Sequence, residues 1–183
     1  MRIKKQDSNI VLNISGKSVL LAKNNKLKHE DYSVIVDTTG SLNNLNSTIS
    51  TPGEYEMSDI LFNVFAYGER LDSPEMVFID SEEDIRVLYI SSAIKSVNKA
   101  MIEKLPEIHI LIAELKEESI KSISQIISDI EPSIFLPLVD NGAIQDLAKE
   151  LGIGSIDSIP SLNIGQKDFT EASSELKVYI LKD

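Results

Sequence analysis

The sequence predicts a single mixed domain over residues 1–183, α/β or α+β, in which sheets are covered by helices. The first observation is that residues 10–90 carry short apolar runs of strand length, and the apolar spacing becomes helical only after Ser96. The second is that strands come first and then alternate with helices, which favours sheets packed beneath helices. A chain of 183 residues buries roughly 70% of its unfolded surface when it folds, so its core can be stable without disulfides or structural metals.

The first half of the chain is predicted to consist mainly of strands. Ile10 to Ile14 and Ser18 to Ala22 are apolar runs connected through Gly16, which predicts a hairpin. Tyr32 to Val36 is almost continuously apolar, as is typical of a strand buried on both faces. Asp37 to Asn46 then consists almost entirely of turn-forming residues. A polar loop after a buried strand is a common location for chemistry.

A tight turn opens the next group of strands. Pro52 and Gly53 suit the central positions of a type II turn, because Pro fixes φ and Gly accepts a positive φ. The strand that follows begins at Glu54, and further strands are predicted at Ile60 to Tyr67, Met76 to Ile79 and Val87 to Ile90. The turn from Asp80 to Asp84 is strongly acidic, and we expect it to be solvated rather than to hold a cation.

The second half of the chain alternates helices and strands. Helices are predicted at Ser96 to Leu105, Lys116 to Ile130 and Ile144 to Leu151, and strands at Ile108 to Ala113, Ser133 to Val139, Leu162 to Ile164 and Leu176 to Leu181. The clearest helix carries one apolar stripe of isoleucines and ends before Pro132, and Gly152 ends the next. Pro137 predicts that its strand lies at a sheet edge or that the strand ends there.

Composition excludes several kinds of site. The chain has no Cys, which excludes disulfides, thiolate metal ligands and a Cys nucleophile. Its apolar runs are shorter than the roughly 20 residues of a membrane span. The basic start, Met1 to Lys5, leads into polar residues and not into the apolar core of a signal peptide. We therefore expect a soluble, cytoplasmic protein that does not bind membranes.

The charge is distributed unevenly along the chain. Residues 1–30 carry seven Lys/Arg and two Asp/Glu, whereas residues 31–183 carry eleven Lys/Arg and 27 Asp/Glu. The net charge of the whole chain is −11. A net acidic chain repels phosphate backbones, so nucleic acid is not an expected partner. The basic segment could contact an acidic partner, although lysines solvated on a hairpin are the preferred interpretation.

Three motifs of the chain resemble those of a known family. They are Pro-Gly-Glu-Tyr-Glu at Pro52 to Glu56, the strand-helix-strand segment from Val87 to Ala113, and the ending Leu136-Pro137-Leu138. In these motifs and their order the chain resembles the metallo-β-lactamase superfamily, in particular the ascorbate-phosphate-lactonase-like predicted zinc-dependent hydrolases. The resemblance extends from residue 1 to about 155. It implies a compact version of a four-layer αββα sandwich.

The resemblance also implies a metal site at one edge of that sandwich, and there the chain departs from the family. The family's first ligand loop reads Thr-His-x-His-x-Asp-His after a buried strand, and a later Asp and His complete the site. The corresponding positions, with the residue that follows the last one, are Asp37, Thr39, Ser41, Leu42, Ser92, Val139 and Asp140. None of the family's ligands is kept, so these are degenerate site positions.

Such a set is poorly suited to zinc. A catalytic zinc takes about three protein ligands, mostly neutral imidazole, and activates a bound water. The chain has two histidines: His29, expected at the surface, and His109, expected to pack near the start of a strand. We therefore expect no catalytic residue, cofactor or metal at these positions.

The preferred hypothesis is a catalytically inactive relative, a pseudoenzyme retained as a binding or assembly module. Its former site would be a polar cleft, lined by Thr38, Thr39, Ser41, Ser92 and Asp140.

Two other hypotheses stay open: an enzyme with another site, in a metal or a serine variant, and a structural protein. A metal-dependent hydrolase would hold Mg²⁺ or Mn²⁺ through the carboxylates of Asp37, Glu54, Asp80 and Asp140. A serine nucleophile, Ser91 or Ser92 with Lys95 as base, lacks both a His partner and a Gly-x-Ser-x-Gly motif. A structural protein would instead present an apolar patch such as Ile60 to Phe65 to a second copy or a protein partner, although burial of this segment is preferred.

Overall fold

The computed structural model describes residues 1–24, 28–39, 42, 47–66, 74–91, 102–139, 141–170 and 175–183. Within these ranges the chain forms two large sheets that face each other. The strands, in chain order, are β1 (Arg2–Gln6), β2 (Asn9–Ile14), β3 (Lys17–Ala22), β4 (Val34–Asp37), β5 (Thr48–Ile49), β6 (Gly53–Met57), β7 (Ile60–Phe65), β8 (Met76–Ser81), β9 (Arg86–Ile90), β10 (Ile110–Glu114), β11 (Ile134–Leu138), β12 (Asp157–Ile159), β13 (Leu162–Asn163) and β14 (Lys177–Leu181).

The strands divide between a first sheet and a second sheet. The first sheet has the order β13-β1-β2-β3-β4-β5, and the second has the order β12-β14-β11-β10-β9-β8-β7-β6. In each sheet antiparallel hairpins give way to parallel strands: β3, β4 and β5 are parallel, as are β9, β10, β11 and β14. Sheets of this mixed kind suit the predicted α/β or α+β class.

The helices of the described residues are short. They are α1 (Ile120–Ile130), α2 (Ile144–Glu150) and α3 (Lys167–Thr170), with 3-10 turns at His29–Asp31, Glu117–Ser119 and Asn141–Ala143. Ile120, Ile123 and Ile130 of α1 are buried against the outer face of the second sheet, as the isoleucine stripe predicted. Glu131 ends α1 in a left-handed conformation, with its N–H bonded to the carbonyl of Ile127.

The main core lies between the two sheets. Alternate residues of the first sheet, such as Leu12, Val19 and Val36, meet Phe62 and Tyr89 of the second, and all are almost completely buried. This alternation is the two-residue period of a strand with one face turned inward. The fold is thus a sandwich of two sheets, with helices on its second sheet.

The hairpin predicted around Gly16 is confirmed, whereas the type II turn predicted at Pro52 and Gly53 is wrong. Gly53 has φ +153°, lies in β6 and pairs with Val64 of β7, so it begins a strand instead of closing a type II turn. Of the two placements predicted for Pro137, the sheet edge is wrong, because β11 pairs with both β10 and β14, and the strand end is found, because Pro137 is the next-to-last residue of β11. The pairing with β14 ends at Phe135, so the missing N–H of Pro137 falls near the end of the strand, where it costs little.

Some elements lay outside the sequence prediction, and one prediction lies outside the described residues. Strands β1, β5 and β12 and helix α3 carried no clear periodic signal because they are short or polar. Of the helix predicted at Ser96 to Leu105, only Ile102 to Leu105 is described, and there Ile102 is buried against the second sheet.

The sandwich has two ends, which we name by their strands. At the carboxyl end, strands β3, β4, β9, β10 and β11 finish together. At the turn end, β3 and β9 begin, and the β2–β3 turn meets the β8–β9 turn of the other sheet through Ser15 and Glu83. In α/β sheets, ligands commonly bind outside the carboxyl ends of the strands.

Candidate functional site

Asp37 is the first predicted site residue, and it lies at the last position of β4, at the carboxyl end. Its side chain is fully buried. One carboxylate oxygen, Oδ1, accepts hydrogen bonds from the backbone N–H and the hydroxyl of Thr39, at 2.9 and 2.8 Å. The other, Oδ2, accepts a bond of 2.7 Å from the backbone N–H of Leu42. Asp37 and Thr39 therefore hold the loop that follows β4.

Leu42 was predicted to occupy the place of a loop histidine, and its side chain is 6% exposed. It packs with Leu20 and Ile35 on the outer face of the first sheet, together with the half-buried Tyr32. Burial raises the pKa of the Tyr32 phenol, and the negative charge of Asp31 raises it further. Leu42 is therefore part of a small apolar cluster.

A cross-sheet network that the sequence analysis did not identify lies at the same end. Glu114, the last residue of β10, accepts a short hydrogen bond from the hydroxyl of Tyr89 through Oε1. The ammonium of Lys23, directly after β3, lies 3.2 Å from the same oxygen. Lys23 belongs to the first sheet's side of the sandwich, whereas Glu114 and Tyr89 belong to the second sheet. The network therefore links the two sheets.

Tyr89 is held as a neutral donor in this network. Its side chain is completely buried, and burial raises the phenol pKa well above its usual value. The negative charge of Glu114 and its acceptance of the hydrogen bond raise the pKa further, whereas a hydrogen bond with Thr38 acts in the opposite direction. Thr38 itself donates a 2.8 Å bond to the carbonyl of Ala22.

A cleft of about 530 Å³ opens beside this network. Its walls come from the ends of β10, β11 and β14 and from the first sheet near Lys5 and Lys23. Val139, the predicted position of the family's late histidine, lines the cleft and supplies no ligand atom from its side chain. Ser41, Ser92 and Asp140 lie outside the described residues.

The described residues do not fit a zinc site. Asp37 and Thr39 are engaged in loop hydrogen bonds, and Leu42 and Val139 have aliphatic side chains. Throughout the described ranges, no group of three or more His, Cys, Asp or Glu side chains is arranged to hold a metal ion. Zinc requires about three such ligands, mostly imidazole.

The histidines lie away from the carboxyl end. His109 precedes β10, and its Nδ1 accepts a 3.0 Å hydrogen bond from the backbone N–H of Arg86. Its ring packs against that of Phe169 at a tilt of 43°, with 4.7 Å between the ring centroids. Burial lowers its pKa below the usual value, and the charge of Arg86 acts in the same direction against that of Glu107. This packing role at a strand start is the one that the sequence predicted. His29 begins a 3-10 turn ahead of β4.

Of the carboxylates of the metal-hydrolase hypothesis, the three within the described residues, Asp37, Glu54 and Asp80, lie apart from one another, and Asp140 is outside those residues. Glu54 is exposed on β6, an edge strand. Asp80 lies in β8 opposite Arg86, with 3.7 Å between Oδ1 and Nε, several residues along the strands from Tyr89. Asp37 is at the carboxyl end. Ser91, from the serine hypothesis, is buried and its N–H bonds to the carbonyl of Glu75, while Ser92 and Lys95 lie outside the described residues.

Two expectations about exposed features need correction. The acidic β8–β9 turn is not simply solvated, because Glu83 accepts two 2.8 Å bonds from Ser15, through its N–H and its hydroxyl. Lysines of the basic segment are likewise paired with carboxylates elsewhere in the chain: Lys5 with Asp183 at 2.9 Å and Lys17 with Asp59 at 2.6 Å. Both errors arise because the partners are distant in sequence and meet only when the sheets pack.

The apolar segment Ile60 to Phe65 does not form a continuous exposed patch. Ile60, Phe62 and Val64 face the core between the sheets, and Leu61 is 49% exposed on the opposite face. The described residues include no helix long and apolar enough to cross a membrane.

Solved structures with this architecture are known. The chain is similar to a protein assigned to the Zn-dependent hydrolases of the metallo-β-lactamase superfamily from Thermotoga maritima, with 14% identity, 98% and 97% of the two chains covered and a TM-score of 0.75. It is similar to a metallo hydrolase from Ignicoccus hospitalis, with 9% identity, 89% and 98% coverage and a TM-score of 0.57.

A third similar structure is an isothiocyanate hydrolase from Delia radicum gut bacteria, with 10% identity, 90% and 100% coverage and a TM-score of 0.58. The sequence matches no protein-family model and no curated protein. At these identities the similarity shows the fold, which is the metallo-β-lactamase-like sandwich that the sequence motifs predicted.

Proposed function

We propose that this chain is a non-catalytic protein of the metallo-β-lactamase-like fold, which acts by binding at the carboxyl end of its sheets. The observation that carries the proposal is that three of the predicted ligand positions, Asp37, Thr39 and Leu42, make structural contacts within the described residues. Both oxygens of Asp37 hold the loop after β4, and Leu42 packs in an apolar cluster. A fold shared with hydrolases does not transfer hydrolysis when the groups that carry it are replaced.

The cross-sheet network supports the same proposal. In the hydrolases, the resemblance places a metal near this end of the sandwich. Here Lys23 and Tyr89 both engage Glu114, so oppositely charged and hydrogen-bonding side chains connect the sheets. Such a network can hold the end of the sandwich together without a metal, while the adjoining cleft stays open for a ligand.

Metal content tests this proposal directly. We expect purified protein to contain no stoichiometric metal, and its thermal unfolding to show no saturable one-to-one stabilisation by Zn²⁺, Mn²⁺ or Mg²⁺. A stoichiometric metal would overturn the proposal. So would a Mn²⁺ or Mg²⁺ stabilisation that is lost on Asp37→Asn or Asp140→Ala but kept on Asp59→Ala, a matched change at the exposed turn end. That outcome would favour the carboxylate-based hydrolase.

A further inference from the structure

The cleft at the carboxyl end is unusual in its charge. Four lysines line it, against two carboxylates, although the whole chain has a net charge of −11. The charged residues are Lys5, Lys23, Lys116, Lys182, Glu114 and Asp183. Charges of one sign gathered in a concave site focus the field and attract ligands of the opposite sign. The cleft is therefore a local cationic site on an acidic protein.

The four lysines are not equivalent. Lys5 is paired with Asp183 at 2.9 Å and Lys23 with Glu114 at 3.2 Å. For Lys116 and Lys182, no carboxylate of the described ranges lies within ion-pair distance. Lys116 follows β10 and Lys182 follows β14, the two strands on either side of β11 in the second sheet. These two ammonium groups are the ones in position to receive an added anion.

The rest of the lining indicates the body of that ligand. Pro137, Leu138 and Ile180 contribute apolar surface, and Ser8 and Ser158 contribute hydroxyls. The volume of about 530 Å³ is within the range of roughly 300–1,000 Å³ found for small-molecule sites. A lining that is more polar than apolar, with four lysines, suits a small polar anion.

We propose that this cleft binds a small organic anion, a phosphomonoester or a carboxylate, with Lys116 and Lys182 as its principal charge partners. The inference rests on the proposed function and names its ligand class. Lysine ammonium groups are point-charge donors that bind phosphates and carboxylates alike, without a fixed fork geometry.

Calorimetric titration of the metal-free full chain tests the inference, with phenyl phosphate, benzoate and the uncharged phenol as probes. We expect one-to-one binding of at least one anion, no binding of phenol, and weaker binding as salt rises. The double variant Lys116→Gln/Lys182→Gln should lower the affinity at least tenfold. Comparing phenyl phosphate with benzoate identifies which anionic group the site prefers.

Lys177→Gln is the matched control, because Lys177 is exposed at the opposite end of β14. It should leave the affinity unchanged, and all variants should keep the parent thermal unfolding. No saturable binding of either anion would overturn this inference alone, as would equal losses in the double variant and in Lys177→Gln. Anion binding that appears only after Zn²⁺ is added would overturn the proposed function together with this assignment.

Discussion

The two ends of the sandwich use the same chemical device in different surroundings. At each end a lysine at the limit of β3 pairs with carboxylates from the second sheet's side of the sandwich. Lys17, the first residue of β3, pairs with Asp59 and Glu82 at the turn end, and Lys23, directly after β3, pairs with Glu114 at the carboxyl end. The side chain of Asp59 is 77% exposed, whereas that of Glu114 is 11% exposed. The difference is therefore in burial and not in the residues that meet.

Burial decides how much such a pair matters to stability. Exposed pairs gain little over hydration and are screened by salt. At the carboxyl end, Glu114 also accepts the hydroxyl of Tyr89, which is completely buried and cannot turn to water. Removing one member of that network leaves the others buried without a partner. The free-energy cost of these unpaired groups is larger than the net contribution of the ion pair to stability. The carboxyl end is thus the more sensitive end.

Glu114→Ala should give the largest effect. The change removes the acceptor of the buried Tyr89 hydroxyl and the partner of Lys23, and we expect the free energy of unfolding to fall by about 3 kcal/mol. Urea denaturation measures this loss as a lower unfolding midpoint, with an unchanged dependence of the free energy of unfolding on urea concentration. Asp59→Ala at the turn end is the matched control and should leave the midpoint within error. Equal losses in the two variants would contradict the comparison.

Tyr89→Phe isolates the hydrogen bond from the ion pair. The ring keeps its packing in the core between the sheets, and Glu114 keeps its ion pair with Lys23. We therefore expect a smaller fall in the free energy of unfolding, of about 1.5 kcal/mol. The measurement is again the urea midpoint. Combining Tyr89→Phe with Glu114→Ala should cost less than the sum of the two single losses, because the residues share one contact. Strict additivity would show that the two side chains act independently.

The sequence predicted the strand around Asp37 better than it predicted this network. The buried strand that ends at Asp37 could be placed because a continuous apolar run followed by polar, turn-forming residues is a local signature. That Asp37 holds its own loop also follows from local chemistry, since an Asp side chain commonly bonds backbone N–H groups a few residues on. The residues next to one another in the sequence are thus enough to predict a contact within a single loop.

The network and the turn-end contacts have no such signature. Tyr89 is read from the sequence as one more residue of an apolar strand, Glu114 as the residue that follows a strand, and Lys23 as part of a polar loop. Their meeting depends on how the sheets face each other, which hydrophobic periodicity does not specify. The same reason explains why the acidic β8–β9 turn was expected to be solvated when Ser15 in fact binds Glu83.

The turn end should show a small pH dependence that originates in His109. Burial lowers the pKa of His109, so the unfolded chain binds the proton more readily than the folded chain does. The stabilisation is therefore complete above the usual pKa of 6.5 and is lost as pH falls through the lower folded value. Thermal unfolding between pH 7.5 and 5.0 should show a smaller decline for His109→Asn, which keeps an acceptor for Arg86.

The difference in thermal unfolding between the parent and His109→Asn at pH 7.5 serves as the control. His109 is already neutral at that pH in the folded chain, so this difference reports only the change in packing. Parallel declines for the parent and His109→Asn would exclude His109 as the source of the pH dependence.

Lys17→Gln should give the smallest effect, which makes it the sharpest test of the difference between the ends. Its hydrogen bond with Asp59 is the main cause that raises the pKa of Lys17, so the ammonium stays charged throughout the physiological range. Its partners Asp59 and Glu82 are 77% and 47% exposed, so the pairs gain little over hydration, and we expect no resolvable change in the urea midpoint at about 0.15 M salt. Lys23→Gln, the corresponding change at the carboxyl end, should lower the midpoint measurably, because it removes the cation beside the nearly buried Glu114. If both variants lowered the midpoint equally, the surroundings of the two pairs would have no bearing on their contribution, and burial would not be what separates the ends.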